Sequence, residues 1–417
     1  MNALQIAALL ITMAGLFGAV NYLFLRLPAA IGILVVALLA SLVVMMMDFI
    51  WPSFGMQTMA THFIHEVEFS STLMEGMLGL LLFAGALHVK ISDLKQEASV
   101  VFLMATLGVA ISTAIVGFGV NMILGIPLAI ALVFGALISP TDPVAVLGVL
   151  RGASLRKSLE TKIAGESLFN DGVGYVVFLI LVGIAFPHDA HGETSVIGIA
   201  KLFIQEAVGG ALLGAGLGWL TFQLMKRIDD FALEVLLSLG LAFGGYELAI
   251  YLHMSGPIMA VVAGLFIGDV GMKHGMSQIT RDYVDAFWKL IDEILNAILF
   301  LLIGFEVFTL TFDSHNPIIL AVVSISLALI ARFGAVAIPV LVLKPFKSFS
   351  RGVIPIMTWG GLKGGISVAL VLSLPDGEWK PVLLTMTYIV VVFSIIVQGL
   401  TIAPLSKRLG REPELDI

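Results

Sequence analysis

Stretches of about 20 mainly apolar residues, the length that crosses a bilayer as a helix, recur about thirteen times along the chain. They start near residues 4, 28, 72, 98, 127, 160, 198, 233, 257, 289, 317, 352 and 380. Backbone polar groups facing lipid have no water to bond, so such a chain folds as a bundle of spanning helices. Composition agrees: 59% of residues are hydrophobic and 12% charged, with a mean hydropathy of +1.07, whereas soluble domains average about 45–50% apolar and 25% charged. The expected fold class is an all-α polytopic membrane protein. Its ninth segment, from Pro257 to about Val270, is short enough that a re-entrant or tilted element competes with a full span.

The basic residues test this count independently, because cytoplasmic loops are enriched in Lys and Arg. Alternate connections carry nearly all of the 22 Lys and Arg residues: Arg26; Lys90 and Lys95; Arg151, Arg156, Lys157 and Lys162; Lys226 and Arg227; Lys273, Arg281 and Lys289; Lys344, Lys347 and Arg351; Lys407, Arg408 and Arg411. The opposite connections hold only Lys201 and Lys380, while Arg332 and Lys363 fall inside apolar segments. The amino terminus is therefore expected outside and the carboxyl terminus in the cytoplasm. Residues 4–25 are too long and too uncharged at their start for a cleaved signal peptide and read as a retained first helix.

Other bulk features exclude more than they identify. The net charge of -7 includes no basic tract that would suggest nucleic acid. With no cysteine there are no disulfides and no thiolate metal sites. His62, His65, His188, His191 and His315 lie in outside loops without metal-ligand spacing and read as solvated loop residues.

Against this apolar background, Ser139-Pro140-Thr141-Asp142-Pro143 and Gly165-Glu166-Ser167-Leu168-Phe169-Asn170-Asp171 place three carboxylates at apparent membrane depth. A charge near the bilayer centre costs about 2.5–3.5 kcal/mol on insertion scales, so intramembrane acids default to substrate or proton pathways. The fifth and twelfth segments also carry helix breakers at their centres: Pro140 and Pro143 in one, Gly360, Gly361, Gly364 and Gly365 in the other. Their offset of seven segments is odd, so the two run in opposite directions, as in inverted repeats of segments 1–6 and 8–13 joined by segment 7. Interrupted segments at corresponding positions of two halves point to a transporter's binding site. The halves share no residue-level similarity.

Pro140 and Pro143 remove N–H donors and push Ser139 and Asp142 away from helical geometry. Freed carbonyls around Thr141, together with the Asp142 carboxylate, are the hard oxygen ligands that a small alkali cation prefers. A structural proline kink is the competing reading, but a kink alone does not need Asp142. In the sixth segment the helical period sets Ser167 and Asp171 one turn apart on one stripe and Glu166 and Asn170 on the adjacent stripe. Asp171 falls close to mid-bilayer, and Ser167 and Asp171 would face the break at Thr141 and Asp142.

Arg332, in the middle of the eleventh segment, is too deep to reach water and needs an anionic partner. Glu166 is expected to fill that role rather than a catalytic one. Lys363 sits too deep in the second break to snorkel, and is expected to offset the partial negative charge of helix carboxyl ends where the two broken helices cross, rather than to titrate. Glu206 and Glu234 lie close to segment ends, where interfacial solvation is the ordinary explanation. Glu247 and Glu306 lie deeper, and either line a funnel or join helices by hydrogen bonds.

The strings Ser-Pro-Thr-Asp-Pro-Val-Ala-Val at 139–146, Gly-Glu-Ser-Leu-Phe-Asn-Asp at 165–171, and Trp359-Gly360-Gly361-Leu362-Lys363-Gly364-Gly365 resemble the signatures of monovalent cation:proton antiporters. The nearest branch in this resemblance is the NhaP-type sodium/proton antiporters of prokaryotes, related to eukaryotic sodium/proton exchangers. It implies thirteen helices with two crossed broken helices, and a cation held by Asp171, Asp142, Thr141 and Ser167. It further implies that Asn170 supports the site, that Glu166 pairs with Arg332, and that the protein is a homodimer in a bacterial or archaeal plasma membrane. The implied division is 1–97 (interface helices 1–3), 98–187 (core helices 4–6), 188–232 (connector), 233–310 (interface helices 8–10) and 311–417 (core helices 11–13). Two departures stand out: Lys363 where the family commonly has Arg, and Phe83-Ala84-Gly85-Ala86 where some relatives carry an acid in the third segment.

The expected activity is exchange of sodium or lithium for protons by alternating access, with cation and proton competing for Asp171 and no cofactor. Relatives with Asn-Asp at the positions of Asn170 and Asp171 tend to be electroneutral, so the resemblance implies one cation per proton. A potassium/proton antiporter of the same family is the alternative, and a cation channel or sensor using the same acids as a selectivity ring is a more distant one. An organic-anion symporter would need cationic or hydroxyl groups facing the break, which Asp142 and Asp171 argue against.

Overall fold

The computed structural model describes residues 3–52, 55, 58–59, 61, 77–142, 146, 157–186, 196–310, 316–350 and 352–409. Among them there is no strand, and nine helices are long and apolar enough to cross a membrane. In chain order the helices are α1 (Leu4–Leu25), α2 (Ala29–Ile50), α3 (Leu78–Leu87), α4 (Ile91–Leu124), α5 (Leu128–Leu137), α6 (Lys157–Ala185), α7 (Lys201–Met225), α8 (Phe231–Tyr251), α9 (Gly256–His274), α10 (Gln278–Phe305), α11 (Pro317–Leu343), α12 (Val353–Trp359), α13 (Gly365–Leu372) and α14 (Lys380–Leu409). The helices follow the order of the expected segments, with the twelfth divided into α12 and α13. Pro143 and the five outside-loop histidines lie outside the described residues.

Packing joins α4, α5, α6, α11, α12, α13 and α14 closely to one another, and α2, α3, α7, α8, α9 and α10 to one another. The two groups meet chiefly where α6 runs beside α9, α7 and α3, and where α13 crosses α10. The broken segments therefore stand beside α3 and α10, which come from the other group.

The ninth segment is a helix of full spanning length, not a short element. Ser255 caps it by accepting from the Ile258 N–H at 3.3 Å, with Pro257 in the first turn. Small residues bring it close to α7, alongside buried apolar residues such as Met259, Val261 and Leu265. A Cβ at Gly210 or Gly214 of α7 would meet the carbonyls of Ser255 and Met259 at 2.6 and 2.5 Å, so this Gly-x-x-x-Gly face lets two backbones touch.

The tenth helix begins eleven residues ahead of the position read from hydropathy, at Gln278. Its first turns are polar and carry their own i,i+4 pairs, Gln278 to Asp282 at 2.9 Å and Lys289 to Asp285 at 2.5 Å. Arg281 and Lys289 thus lie on a helix rather than in a loop.

Candidate functional site

Each broken segment leaves backbone groups that another part of the chain satisfies. After Leu137 the fifth segment runs out of helix through Ser139, Pro140, Thr141 and Asp142, and the twelfth runs non-helical from Gly361 to Gly364. The breaks touch: the Asp142 N–H donates to the Leu362 carbonyl at 2.8 Å. Beside them, α14 contains a π-turn at Ser394–Gln398. The Lys363 N–H donates to Ser394 Oγ at 2.9 Å, the Ser394 hydroxyl donates to Gln398 Oε1 at 2.6 Å, and Gln398 Nε2 donates to the Trp359 carbonyl at 3.1 Å. One serine and one glutamine in the π-turn thereby close the second break, and π-turns of this kind gather at functional sites.

The sixth helix meets the first break as its period predicts. Thr141 Oγ1 lies 2.9 Å from Ser167 Oγ, and Asn170 grips Thr141 at two points, Nδ2 donating to Oγ1 at 2.9 Å and Oδ1 accepting from the Thr141 N–H at 3.3 Å. One turn on from Ser167, Asp171 is buried and its Oδ1 has no hydrogen-bond partner among the described residues. A buried carboxylate oxygen left bare is costly unless something else binds it. It faces a cavity of about 60 Å³ that Thr141, Asp142, Ser367 and Asn296 also line. Gly85, Leu168 and Asn296 line both this cavity and a larger funnel of about 550 Å³, whose wall carries His88, Lys90, Lys157 and Lys289. Acids stand among them, Asp93, Glu160, Asp292 and Glu293, so the funnel is walled by charges of both signs, and it shares three lining residues with the cavity that holds the two aspartates.

Two cations satisfy the carboxyl ends of the broken helices. Arg332 of α11 makes a two-point ion pair with Glu166, Nη1 to Oε1 and Nη2 to Oε2 at 2.8 Å. Its Nε and Nη2 also donate to the Met357 carbonyl at 3.2 and 3.0 Å, near the end of α12. The guanidinium lies across Gly361, where a Cβ would sit 2.0 Å from Nε. Lys363 reaches the other break, its Nζ donating to the carbonyls of Ser139 at 2.9 Å and Pro140 at 3.2 Å. Both side chains are buried.

That last contact changes one expectation. The carbonyls freed around Thr141 by Pro140 and Pro143 were expected as cation ligands, yet those of Ser139 and Pro140 accept from the Lys363 ammonium. Glu234 differs too. It is fully buried rather than solvated, because α10 covers the start of α8, where Trp288 Nε1 donates to Ser238 Oγ at 2.9 Å. Glu306 is buried at the end of α10, whereas Glu247 lies on an exposed face of α8. Asn296, Ser394 and Gln398 join the surroundings of the site without having stood out in the sequence; isolated amides and hydroxyls in apolar helices are the signal that marks them.

Residues 8–408 match the family model described as "Sodium/hydrogen exchanger, transmembrane", and the chain belongs to that family of membrane transporters. The Na(+)/H(+) antiporter NhaP of Pseudomonas aeruginosa is 45% identical to it, over 97% of both chains. The Na(+)/H(+) antiporter NhaH of Halobacillus aidingensis is 36% identical, over 84% of this chain and 87% of that one. Among solved structures, the sodium proton antiporter MjNhaP1 from Methanocaldococcus jannaschii superimposes with a TM-score of 0.77 across 97% of this chain and 98% of that one, at 19% identity. The likeness of fold thus extends over nearly the whole chain.

Proposed function

We propose that this protein exchanges sodium or lithium for protons, one for one, across a bacterial or archaeal plasma membrane. The observation that carries the reading is the bare Oδ1 of buried Asp171, set with Asp142 in a cavity that shares Gly85, Leu168 and Asn296 with a larger funnel. The names of the NhaP and NhaH relatives support the choice of ions.

In this reading a cation and a proton compete for Asp171. Protonation removes the negative charge that holds the cation, and cation binding expels the proton, so one site couples opposite fluxes without a cofactor. Asp142, Thr141 and Ser167 supply further oxygens, and Asn170 holds Thr141 in place. The unloaded anionic site is expensive to carry past an apolar barrier, which suppresses leak. Glu166 neutralises Arg332, leaving Asp171 as the principal group to be neutralised in each crossing state.

The alternation of Lys and Arg along the connections supports an amino terminus outside and a carboxyl terminus in the cytoplasm, and the funnel, which takes Lys90, Lys157 and Lys289 from the basic set, would then open to the cytoplasm. The group of α4–α6 and α11–α14 would carry the site past a scaffold of α1–α3 and α8–α10, the latter forming the interface of a homodimer.

Reconstituted into vesicles, the protein should accumulate sodium against its gradient when a proton gradient is imposed, where a pore would dissipate both. Asp171→Asn should abolish exchange while leaving a folded protein, because the amide keeps the shape and loses the titratable charge. Proton-driven uptake by that variant at near the wild-type rate would overturn the assignment. Asp142→Asn should mainly weaken apparent cation affinity.

A further inference from the structure

We infer that Ser367 is a cation ligand supplied by the second broken segment, a residue that tunes which monovalent ion the site takes. The inference rests on the reading of the cavity as the ion site.

Ser367 is the third residue of α13 and lines the cavity together with Asp142 and Asp171. It is 1% exposed, and its hydroxyl has no hydrogen-bond partner among the described residues. Thr113, Ser139 and Thr358 share that lack among the described residues, but of these hydroxyls it is Ser367 that lines the cavity. Hydroxyls within apolar helices ordinarily bond the carbonyl one turn back, as Ser324 does to Leu320 at 2.6 Å, Thr387 to Leu383 at 2.7 Å and Thr385 to Pro381 at 2.9 Å. For Ser367 the corresponding residue is Lys363, inside the break, where the chain is not helical. The interruption that shapes the site therefore also releases this hydroxyl from its usual partner and leaves it at the cavity wall.

A second observation sets Asp142 at the same end of α13. A Cβ on Gly364, the residue before α13, would lie 2.7 Å from Asp142 Oδ2, so the carboxylate rests against the start of that helix. Ser367 follows three residues on. Across the cavity, α3 contributes only Leu78, Leu81, Leu82 and Gly85, none with a side-chain oxygen. Side-chain oxygens then come from the broken segments, α6 and Asn296 of α10, while the Ser139 and Pro140 carbonyls already accept from Lys363. The Ser367 hydroxyl is a hard oxygen that an alkali cation prefers. Being neutral, it strengthens cation binding without adding a second proton-binding charge.

The test measures sodium-driven proton movement in vesicles for wild type, Ser367→Ala and Ser367→Cys, each checked for an unshifted thermal midpoint in detergent. Loss of one neutral ligand should raise the apparent KM for sodium about three- to tenfold with kcat little changed. Ser367→Cys, nearly the same size, substitutes a soft sulfur and should shift preference from sodium toward the softer thallous ion. Should Ser367→Ala fold poorly, the Cys variant alone decides. A KM within twofold of wild type for both variants, with unchanged ion preference, overturns the inference. Wild-type exchange and an inactive Asp171→Asn variant run alongside: if those fail, the ion-site reading is at fault rather than Ser367.

Discussion

The two broken segments solve one problem with opposite chemistry. In the fifth segment proline removes backbone donors and the break carries an acid, Asp142. In the twelfth, glycines remove side-chain bulk and the break carries a base, Lys363. The proline break exposes carbonyls at a helix end, and the Lys363 ammonium from the glycine break satisfies two of them. The glycine break in turn accepts close neighbours, Arg332 against Gly361 and the Asp142 carboxylate against Gly364. Each break therefore depends on the other, and the backbone bond from Asp142 to Leu362 ties them at 2.8 Å. The contrast shows a division of labour. One break presents a carboxylate to the cavity, and the other supplies a compensating ammonium and room for close neighbours.

The comparison is broken most severely at its shared support. Glu166→Gln strands Arg332 in the interior, and losing one partner of a buried pair typically costs about 3–5 kcal/mol, so the thermal midpoint in detergent should fall sharply. A Glu166→Gln, Arg332→Gln double variant should recover part of that loss, though not all, since the Met357 carbonyl also loses its donor. Additive losses in that cycle would mean the pair does not interact.

Two alanine substitutions within the glycine break should then separate its roles. Overpacking costs about 1–3 kcal/mol in either place, but the consequences differ. At Gly361 a Cβ displaces the guanidinium, and stability should fall along with transport. At Gly364 it presses on the Asp142 carboxylate, and apparent sodium affinity should fall with a smaller loss of stability. Equal effects of the two on both readouts would erase the distinction drawn between them.

The smallest expected effect is at α14. Ser394→Ala removes the acceptor of the Lys363 N–H, and an unsatisfied buried donor costs about 1–3 kcal/mol. A bound water would reduce that cost, so a midpoint shift at the low end is expected, with sodium affinity retained.

What the sequence made legible follows from how local each inference was. A lone arginine at membrane depth demands an anion, and a carboxylate on the neighbouring stripe of α6 answered it. The 3.6-residue period alone aligned Ser167 and Asp171 and set Asn170 beside them, and the structure brings Ser167 and Asn170 onto Thr141. Contacts between segments distant in sequence were less accessible. Lys363 was expected at a helix carboxyl end where the breaks cross, but nothing in the local pattern near Pro140 says that it takes the carbonyls of Ser139 and Pro140, because that depends on how the two breaks cross. Ser394 and Gln398 meet the break through a π-turn, which alters the register that a regular helix would predict. The length of the ninth helix was obscured because its last turns carry Asp269, Lys273 and His274, which end the apolar run before the helix ends. Glu234 looked solvated because its place near a segment end says nothing about α10 lying over it.

The central claim is that cation and proton compete for one buried carboxylate, and proton release on binding tests it most directly. Purified protein in weakly buffered detergent is titrated with sodium at a pH where the unloaded site is protonated, and bound sodium and released protons are measured together. The account predicts one proton released for each cation bound in the wild type, and none from Asp171→Asn. Saturable sodium binding by the wild type with no accompanying proton release would contradict it.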